Sequence, residues 1–445
     1  MQALPATLTE LQQAIASGQV SAGQAWQIQC QSRDALNARW HCLSSPVTAP
    51  QAEAGHSGPL AGIGLAHKDN FDTWGRRPGC GVDGGQPQPG LPAAWAIEQL
   101  RQAGAGHLGA LVMAEHACGA TSANAHFERC INPLHPDAVV GGSSSGSAVA
   151  VAGGLAYGAL GTDTAGSVRI PAATCGLVGL KTTHGLIPTQ GLAALAPSLD
   201  TIGVLARNVE DAGALLTPLA PHLPAAPQPP AAHWRAWIPD DWLHAEVARA
   251  LHALADELAD ELGAARVDLQ ADHSHLSSLA DIVLHTEVAA LRREPLLAGQ
   301  LSPAVQALAL PGLVMPPAWS RAAQAVRGAE LQRFCQTQLP AASVILMPAL
   351  PHPVPDWQTV HPAQAGFAAR ELLALHRCMG FINYLGLPAL VLPIARDSRG
   401  LPISVQLVGR PFHERELLAL AAQLQQRRFG SAGFKPGWHL PAMES

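Results

Sequence analysis

The stretch from Gly141 to Gly185, GGSSSGSAVAVAGGLAYGALGTDTAGSVRIPAATCGLVGLKTTHG, limits the possible folds more than any other part of the chain. It opens with three consecutive serines between glycines. It then runs through residues that are almost all small or apolar and reaches Ser167 in Thr-Ala-Gly-Ser-Val-Arg. Ala148 to Leu160 is too apolar for a flexible Gly/Ser tether. Glycines beside hydroxyls suit places where a backbone approaches a ligand closely or takes a positive φ. As a helix, Ser147 to Gly158 would be narrow and packed on every side, which puts it in the centre of a core. Tyr157 to Gly161 reads as a core strand and Asp163 to Ser167 as a turn. Ile170-Pro171 reads as the start of a helix carrying Cys175, and Lys181 to Pro188 as strand or loop.

The flanking segments continue this alternation. Gly58 to Asn70 reads as a short strand ending in Lys68-Asp69-Asn70. Leu91 to Gly104 reads as a helix with Trp95, Ile97 and Leu100 on one face and Gly104 as its C-terminal cap. Gly106 to Met113 reads as the next strand, and this order predicts an α/β sheet. Residues 1–40 read as helices, opened by a capping box at Thr7 and Glu10. Leu216 to Ala232 is rich in proline and alanine and reads as a linker. Val247, Leu251, Leu254, Leu258 and Leu262 form an apolar stripe ended by Gly263, which predicts a helix packed over the sheet. Residues 265–340 read as further helices. Val344 to Met347, Ala389 to Pro393 and Ile403 to Leu407 read as core strands, and Glu414 to Gln425 as a closing helix. Residues 429–445 carry no readable signal.

With 445 residues, 48% of them hydrophobic, the chain can bury a large core. Only 13% are charged, the net charge is −6 and there is no basic run, which argues against nucleic acid as a partner. An anionic small substrate stays open, since one arginine suffices for it. Eight cysteines without a C-x-x-C pair read as buried free thiols in a reducing compartment. With neither a basic-then-apolar leader nor a long apolar span, a cytoplasmic protein with no membrane contact is expected. Glu115, His116, His126 and Glu128 raise the question of a metal site in the loop Glu115 to Asn132. Their spacing matches no ligand pattern, so neither metal nor cofactor is expected.

A serine hydroxyl is a poor nucleophile until a base can reach its proton. No histidine accompanies a G-x-S-x-G elbow here, so a Ser-His-Asp hydrolase is not the natural reading. A phosphate cradle at Gly141 to Ser147, as in a nucleotide-binding protein, would need the lysine of G-x-x-x-x-G-K-[ST] or a G-x-G-x-x-G after a strand, and has neither.

The Gly141 to Gly185 stretch resembles the signature of the amidase signature enzymes, which hydrolyse amides with a Ser-Ser-Lys triad. GPLAGIGLAHKDNFDTWG (Gly58 to Gly75) resembles that family's lysine segment, and NPLHPDAVVGGSSSGS (Asn132 to Ser147) its approach to the first serine. NYLGLPALVLPI and GLPISVQLVGRPF resemble its C-terminal strands. The resemblance covers most of residues 58–205 and 376–420. It implies one amidase domain over residues 1–445, of α/β class, with a central mixed β-sheet covered by helices on both faces. Residues 1–57 would be N-terminal helices and 58–205 the signature core with the triad. Residues 216–340 would be a variable helical region lining the pocket, and 341–430 the C-terminal core strands and helix.

The resemblance also implies roles. Ser167 is the nucleophile. Ser143, 24 positions earlier, stands between it and Lys68 and relays its proton to that lysine, and the Gly142–Ser143 peptide is cis. Lys68 is buried, which lowers its pKa toward the range a general base needs. Backbone N–H groups of Thr164, Ala165, Gly166 and Ser167 hold the oxyanion, and Ser144 is a nearby hydrogen-bonding partner. From their positions on either side of Ser167, and not from the resemblance, Asp163 and Arg169 read as an ion pair that shapes the turn; alternatively, Arg169 meets a substrate carboxylate. The reaction runs through an acyl-enzyme on a small-molecule amide, with a homodimer as the assembly. A second reading is the glutaminase (A) subunit of a tRNA-dependent amidotransferase. Such subunits commonly carry glutamine where Ile170 stands. Other departures are Ala165 and Ser145 in place of frequent glycines, as in allophanate hydrolases, and Ala110-Leu111-Val112 in place of Lys-Thr-Asn. Thr182 and His184 replace a usual proline and aromatic. His67 replaces a small apolar residue beside Lys68, where an imidazole can alter the lysine's pKa. Aliphatic amides, aryl-acetamides and ureido acids all remain open as substrates.

Overall fold

A computed structural model describes residues 4–46, 57–224, 233–262, 266–269, 273–430 and 433–434. In chain order its strands are β1 (Leu43–Pro46), β2 (Gly64–Lys68), β3 (Arg76–Arg77), β4 (Gln86–Pro87), β5 (Gly106–Leu111), β6 (Gly158–Asp163) and β7 (Val178–Lys181). They continue with β8 (Thr201–Ala206), β9 (His233–Ala236), β10 (Arg266–Asp268), β11 (Ser343–Pro348), β12 (Ala389–Arg396) and β13 (Pro402–Val408). Among the described residues, eleven of these form one sheet in the order β1-β5-β2-β6-β8-β7-β12-β13-β11-β9-β10, while β3 and β4 make a small ribbon. The sheet is mixed. β2 runs parallel to both β5 and β6, whereas β6, β8, β7, β12, β13 and β11 pair antiparallel in turn.

Every residue of β2, β5, β6, β7, β8, β11 and β13 is buried, as expected for strands covered on both faces. Side-chain alternation divides the core. On β2, Ala66 joins the cluster of Val149 and Val151, while Leu65 joins Leu160 and Val204 on the other face. The helix Ser145–Ala152 is buried at all eight positions. Only serine, glycine, alanine and valine occur in it, so it can lie close to the sheet on all sides. The helices Leu8–Ala16 and Ala22–Trp40 both open on capping boxes, the first at Thr7 as read from sequence. In Ala245–Leu262 the stripe residues Val247, Leu251, Leu254 and Leu258 are buried.

Two expectations are corrected. The linker reading fails for its first residues, because the helix Val209–Leu219 continues through Pro218, held by buried Leu215, Leu216 and Leu219. Residues 225–232 of that stretch lie outside the described residues, as do Gly263 and most of the tail after residue 430. The sheet also gains β9 and β10, which pair parallel beside β11. Four and three residues long, they hold too few alternating positions to stand out in sequence. The helices Ser274–Leu291, Arg293–Leu297, Pro303–Val314 and Pro317–Thr337 follow the helical reading of the region after residue 265. Among the described residues, no helix is long and apolar enough to cross a membrane.

Candidate active site

The parallel pairing of β2 with β6 brings Lys68 at the end of one strand beside Thr162 near the end of the other. Lys68 is 1% exposed. Its Nζ donates to Ser143 Oγ at 2.7 Å and to Thr162 Oγ1 at 2.8 Å. Asn70 Nδ2 donates to the same threonine hydroxyl at 3.0 Å. Burial pushes the lysine down to about 7, although the carboxylates of Asp200 and Asp163 pull it the other way. Of the three consecutive serines, Ser143 is the one whose hydroxyl meets Lys68. The Gly142–Ser143 peptide is cis. Ser144 turns the other way, with its Oγ donating to Thr162 O at 3.3 Å and its backbone N to Ser167 O at 3.3 Å. That backbone contact joins the segment of Ser143 to the turn of Ser167, which is buried except for 5% of its surface.

The turn after β6 is built around Asp163. Its Oδ1 accepts from Gly166 N at 2.9 Å, and its Oδ2 from Val168 N at 3.2 Å. Arg169 Nε and Nη2 meet the two carboxylate oxygens at 3.0 and 2.9 Å. Burial alone would raise Asp163, but the Arg169 guanidinium, with Lys181 and the Asn383 amide, holds it well below the usual carboxylate range. Arg169 is fully buried. Its Nη1 donates to Gln406 Oε1 at 2.7 Å, and Nη2 also lies 2.6 Å from Asn383 Oδ1 and 3.3 Å from Met379 O. The guanidinium is thus committed inside the protein and faces no open space for a substrate carboxylate. The turn also constrains the backbone donors expected for an oxyanion. The Gly166 amide already donates to Asp163. Among the described residues, no protein acceptor takes the amides of Thr164, Ala165 or Ser167. Gly166 has φ +109, and a Cβ there would lie 2.7 Å from Met379 Cγ, so only glycine fits.

Several groups around the turn escaped sequence reasoning. Asp200 accepts from Thr164 Oγ1 at 2.6 Å and from the amides of Leu195 and Ala196. Burial pushes this carboxyl up to about 6. Asn383 Nδ2 donates to Asp163 O and Oδ1, both at 2.9 Å. His376 and Gln406 also reach the turn from the C-terminal half. A polar residue amid apolar strand positions, such as Gln406 in PISVQLV, was the one available signal.

His67, the residue before Lys68, is buried. It points to the face of β2 opposite Lys68, stacks on His107 with ring centroids 5.3 Å apart and accepts from Leu160 N through Nδ1. Burial, with His107, holds its pKa well down, and it is not among the groups that act on Lys68. In the following loop, Glu115 Oε1 accepts from Ser302 N at 3.2 Å, and its Oε2 lies 3.7 Å from His126 Nε2. His116 adopts a left-handed backbone at φ 48. Among the described residues, no three His, Cys, Asp or Glu side chains come together as a metal site.

The family model described as Amidase matches residues 30–241 and 314–418. The A subunit of the glutamyl-tRNA(Gln) amidotransferase of Moorella thermoacetica is 33% identical over 427 residues, 85% of this chain and 85% of that protein. Its counterpart from Salinibacter ruber is 48% identical over 170 residues, 38% of this chain and only 33% of that protein's length. Among solved structures, one described as an amidase is 28% identical, with a TM-score of 0.82 over 95% of this chain and 100% of its own. A 6-aminohexanoate cyclic dimer hydrolase complexed with substrate is 25% identical, with a TM-score of 0.83 over 97% and 98%.

Proposed function

The chain belongs to the amidase family of amide-hydrolysing enzymes, and on that premise we propose that it cleaves the C–N bond of a small carboxamide or ureido substrate through an acyl-enzyme on Ser167. The observation that carries this reading is the buried Lys68 amine, 2.7 Å from Ser143 Oγ and held near 7. A lysine at that pKa is substantially neutral at neutral pH and can take a proton.

In this reading, Lys68 Nζ takes the proton of Ser143 Oγ as Ser143 takes that of Ser167. Ser167 Oγ then bonds to the substrate carbonyl carbon. The oxyanion is held by the amides of Thr164, Ala165 and Ser167; Gly166 acts through the turn instead, because Asp163 occupies its N–H. As the tetrahedral species collapses, the C–N bond breaks. The proton returns from Lys68 through Ser143 to the nitrogen, which leaves as ammonia or an amine. Water repeats the relay at the acyl carbon and releases the carboxylate, so no cofactor takes part. Asp163, Arg169 and Ser144 support the turn. The chain acts as one amidase domain, with residues 216–340 supplying part of the pocket wall, and as a homodimer.

The test is ammonia or amine release from aliphatic amides, indoleacetamide, glutamine and allophanate, by wild type, Ser167→Ala and Lys68→Ala. Turnover abolished in both variants supports the relay. Turnover surviving Ser167→Ala removes the nucleophile assignment.

The curated relatives favour a second reading, a glutaminase subunit of an amidotransferase, since similarity to one of them spans 85% of both chains. Against it stands Ile170, whose side chain packs beside Gly141 and Gly166, where that reading expects glutamine. Glutamine turnover that appears only with a co-purifying partner would decide for it.

A further inference from the structure

The peptide unit between Ala165 and Gly166 is gripped at both ends. Its N–H donates to Asp163 Oδ1 at 2.9 Å, from within the same turn. Its carbonyl, Ala165 O, lies 2.8 Å from His376 Nδ1, which belongs to a segment 211 residues further along the chain. That segment is itself a closed turn, since Met379 N donates to His376 O at 3.0 Å. It touches the nucleophile turn twice more. Met379 O accepts from Arg169 Nη2, and the Met379 side chain fills the space beside the bare Gly166 Cα.

We propose that His376 is a positioning residue for the reaction. By donating its Nδ1–H to Ala165 O it fixes the plane of the Ala165–Gly166 peptide, and so aims the neighbouring amides of Ala165 and Ser167 at the developing oxyanion.

A carbonyl oxygen can only accept, so Nδ1 must carry the proton and the neutral ring keeps its lone pair on Nε2. Burial lowers the pKa of His376, opposed by the Ala165 carbonyl and by Asp281 and Asp163, so the neutral ring predominates at neutral pH. Without the imidazole, one end of the peptide unit is free and the plane can rock about the Asp163 contact. The two flanking amides would lose their aim while substrate binding elsewhere in the pocket is spared. Oxyanion donors act through the transition state, so the loss should fall on kcat and not on KM.

This rests on reading Ser167 as the nucleophile, and the experiment separates the two. His376→Leu, His376→Asn and His376→Gln are compared on the best amide of the panel. Asparagine places an N–H near the Nδ1 position, whereas glutamine places one near Nε2. The expected result is a fall in kcat of about 10- to 100-fold for His376→Leu with KM little changed. His376→Asn should restore most of it and His376→Gln little. A kcat for His376→Leu within about twofold of wild type, or equal rescue by glutamine, overturns the proposal; if His376→Leu does not fold, the asparagine–glutamine pair decides. Independently of any substrate, ¹⁵N-histidine NMR of the full chain, assigned by difference with His376→Asn, should show His376 as the Nδ1–H tautomer. An Nε2–H tautomer overturns the proposal. Wild type inactive on every amide would count against the proposed function, while the tautomer would still decide the role of His376.

Discussion

Replacing Lys68 with methionine should abolish turnover and, at neutral pH, make the protein harder to unfold. The unfolded lysine has its ordinary pKa of 10.5, and the folded one sits at about 7. Between these values the unfolded chain holds a proton that the folded chain has lost, so folding must expel it, and stability falls as pH drops from 10.5 toward 7. Below about 7 both states are protonated and the cost levels off. The gap of 10.5 − 7, at about 1.36 kcal/mol per unit, sets that full cost at ~5 kcal/mol. Methionine of similar length removes it. The substitution forfeits two hydrogen bonds, to Ser143 and Thr162, worth ~1 kcal/mol each net. The balance is a gain of ~2–3 kcal/mol at pH 7, shrinking to nothing and reversing as pH approaches 10. Urea unfolding of wild type and Lys68→Met at half-unit steps from pH 6 to 10 measures it. A stability difference that stays flat across this range would refute the depressed lysine, and with it the physical basis of the proposed base.

The same ionisation should appear in kinetics, with kcat/KM rising with pH to a plateau above about 7; a rise centred near 10 would contradict it. His67→Leu should leave that midpoint unmoved, because His67 faces the other side of β2, and a pH–rate profile of the variant checks it. Arg169→Met should strand the buried Asp163 carboxylate and destabilise the fold by about 3–5 kcal/mol, read as a lowered denaturant midpoint. Ser144→Ala loses the bond to Thr162 O and should cost ~1 kcal/mol of stability while leaving measurable turnover.

Lys68, Ser143 and Ser167 were picked out in sequence because the contiguous segments that carry them resemble one family's motifs. The groups that hold them were not. Thr162 meets Lys68 only because β2 and β6 pair in parallel, and pairing partners are not adjacent in sequence. Asn383, Gln406 and His376 reach Asp163, Arg169 and Ala165 across more than two hundred residues of chain. The role of His67 stayed open in sequence for a related reason. Neighbours in sequence on a strand face opposite ways, so nearness to Lys68 along the chain placed the imidazole in the other half of the core. The Asp163–Arg169 pairing was readable from its spacing, but its complete enclosure by Asn383, Gln406 and Met379 was not.

That enclosure has a consequence for the order in which a living cell makes this protein. Ser143, Ser167 and Lys68 leave the ribosome early, yet the side chains that complete the Ser167 turn arrive from residue 376 onward. Until those segments are synthesised and docked, the Asp163–Arg169 pair lacks the partners that justify burying it. The turn that carries Ser167 can therefore take its buried form only after residues 376–406 have been made and docked.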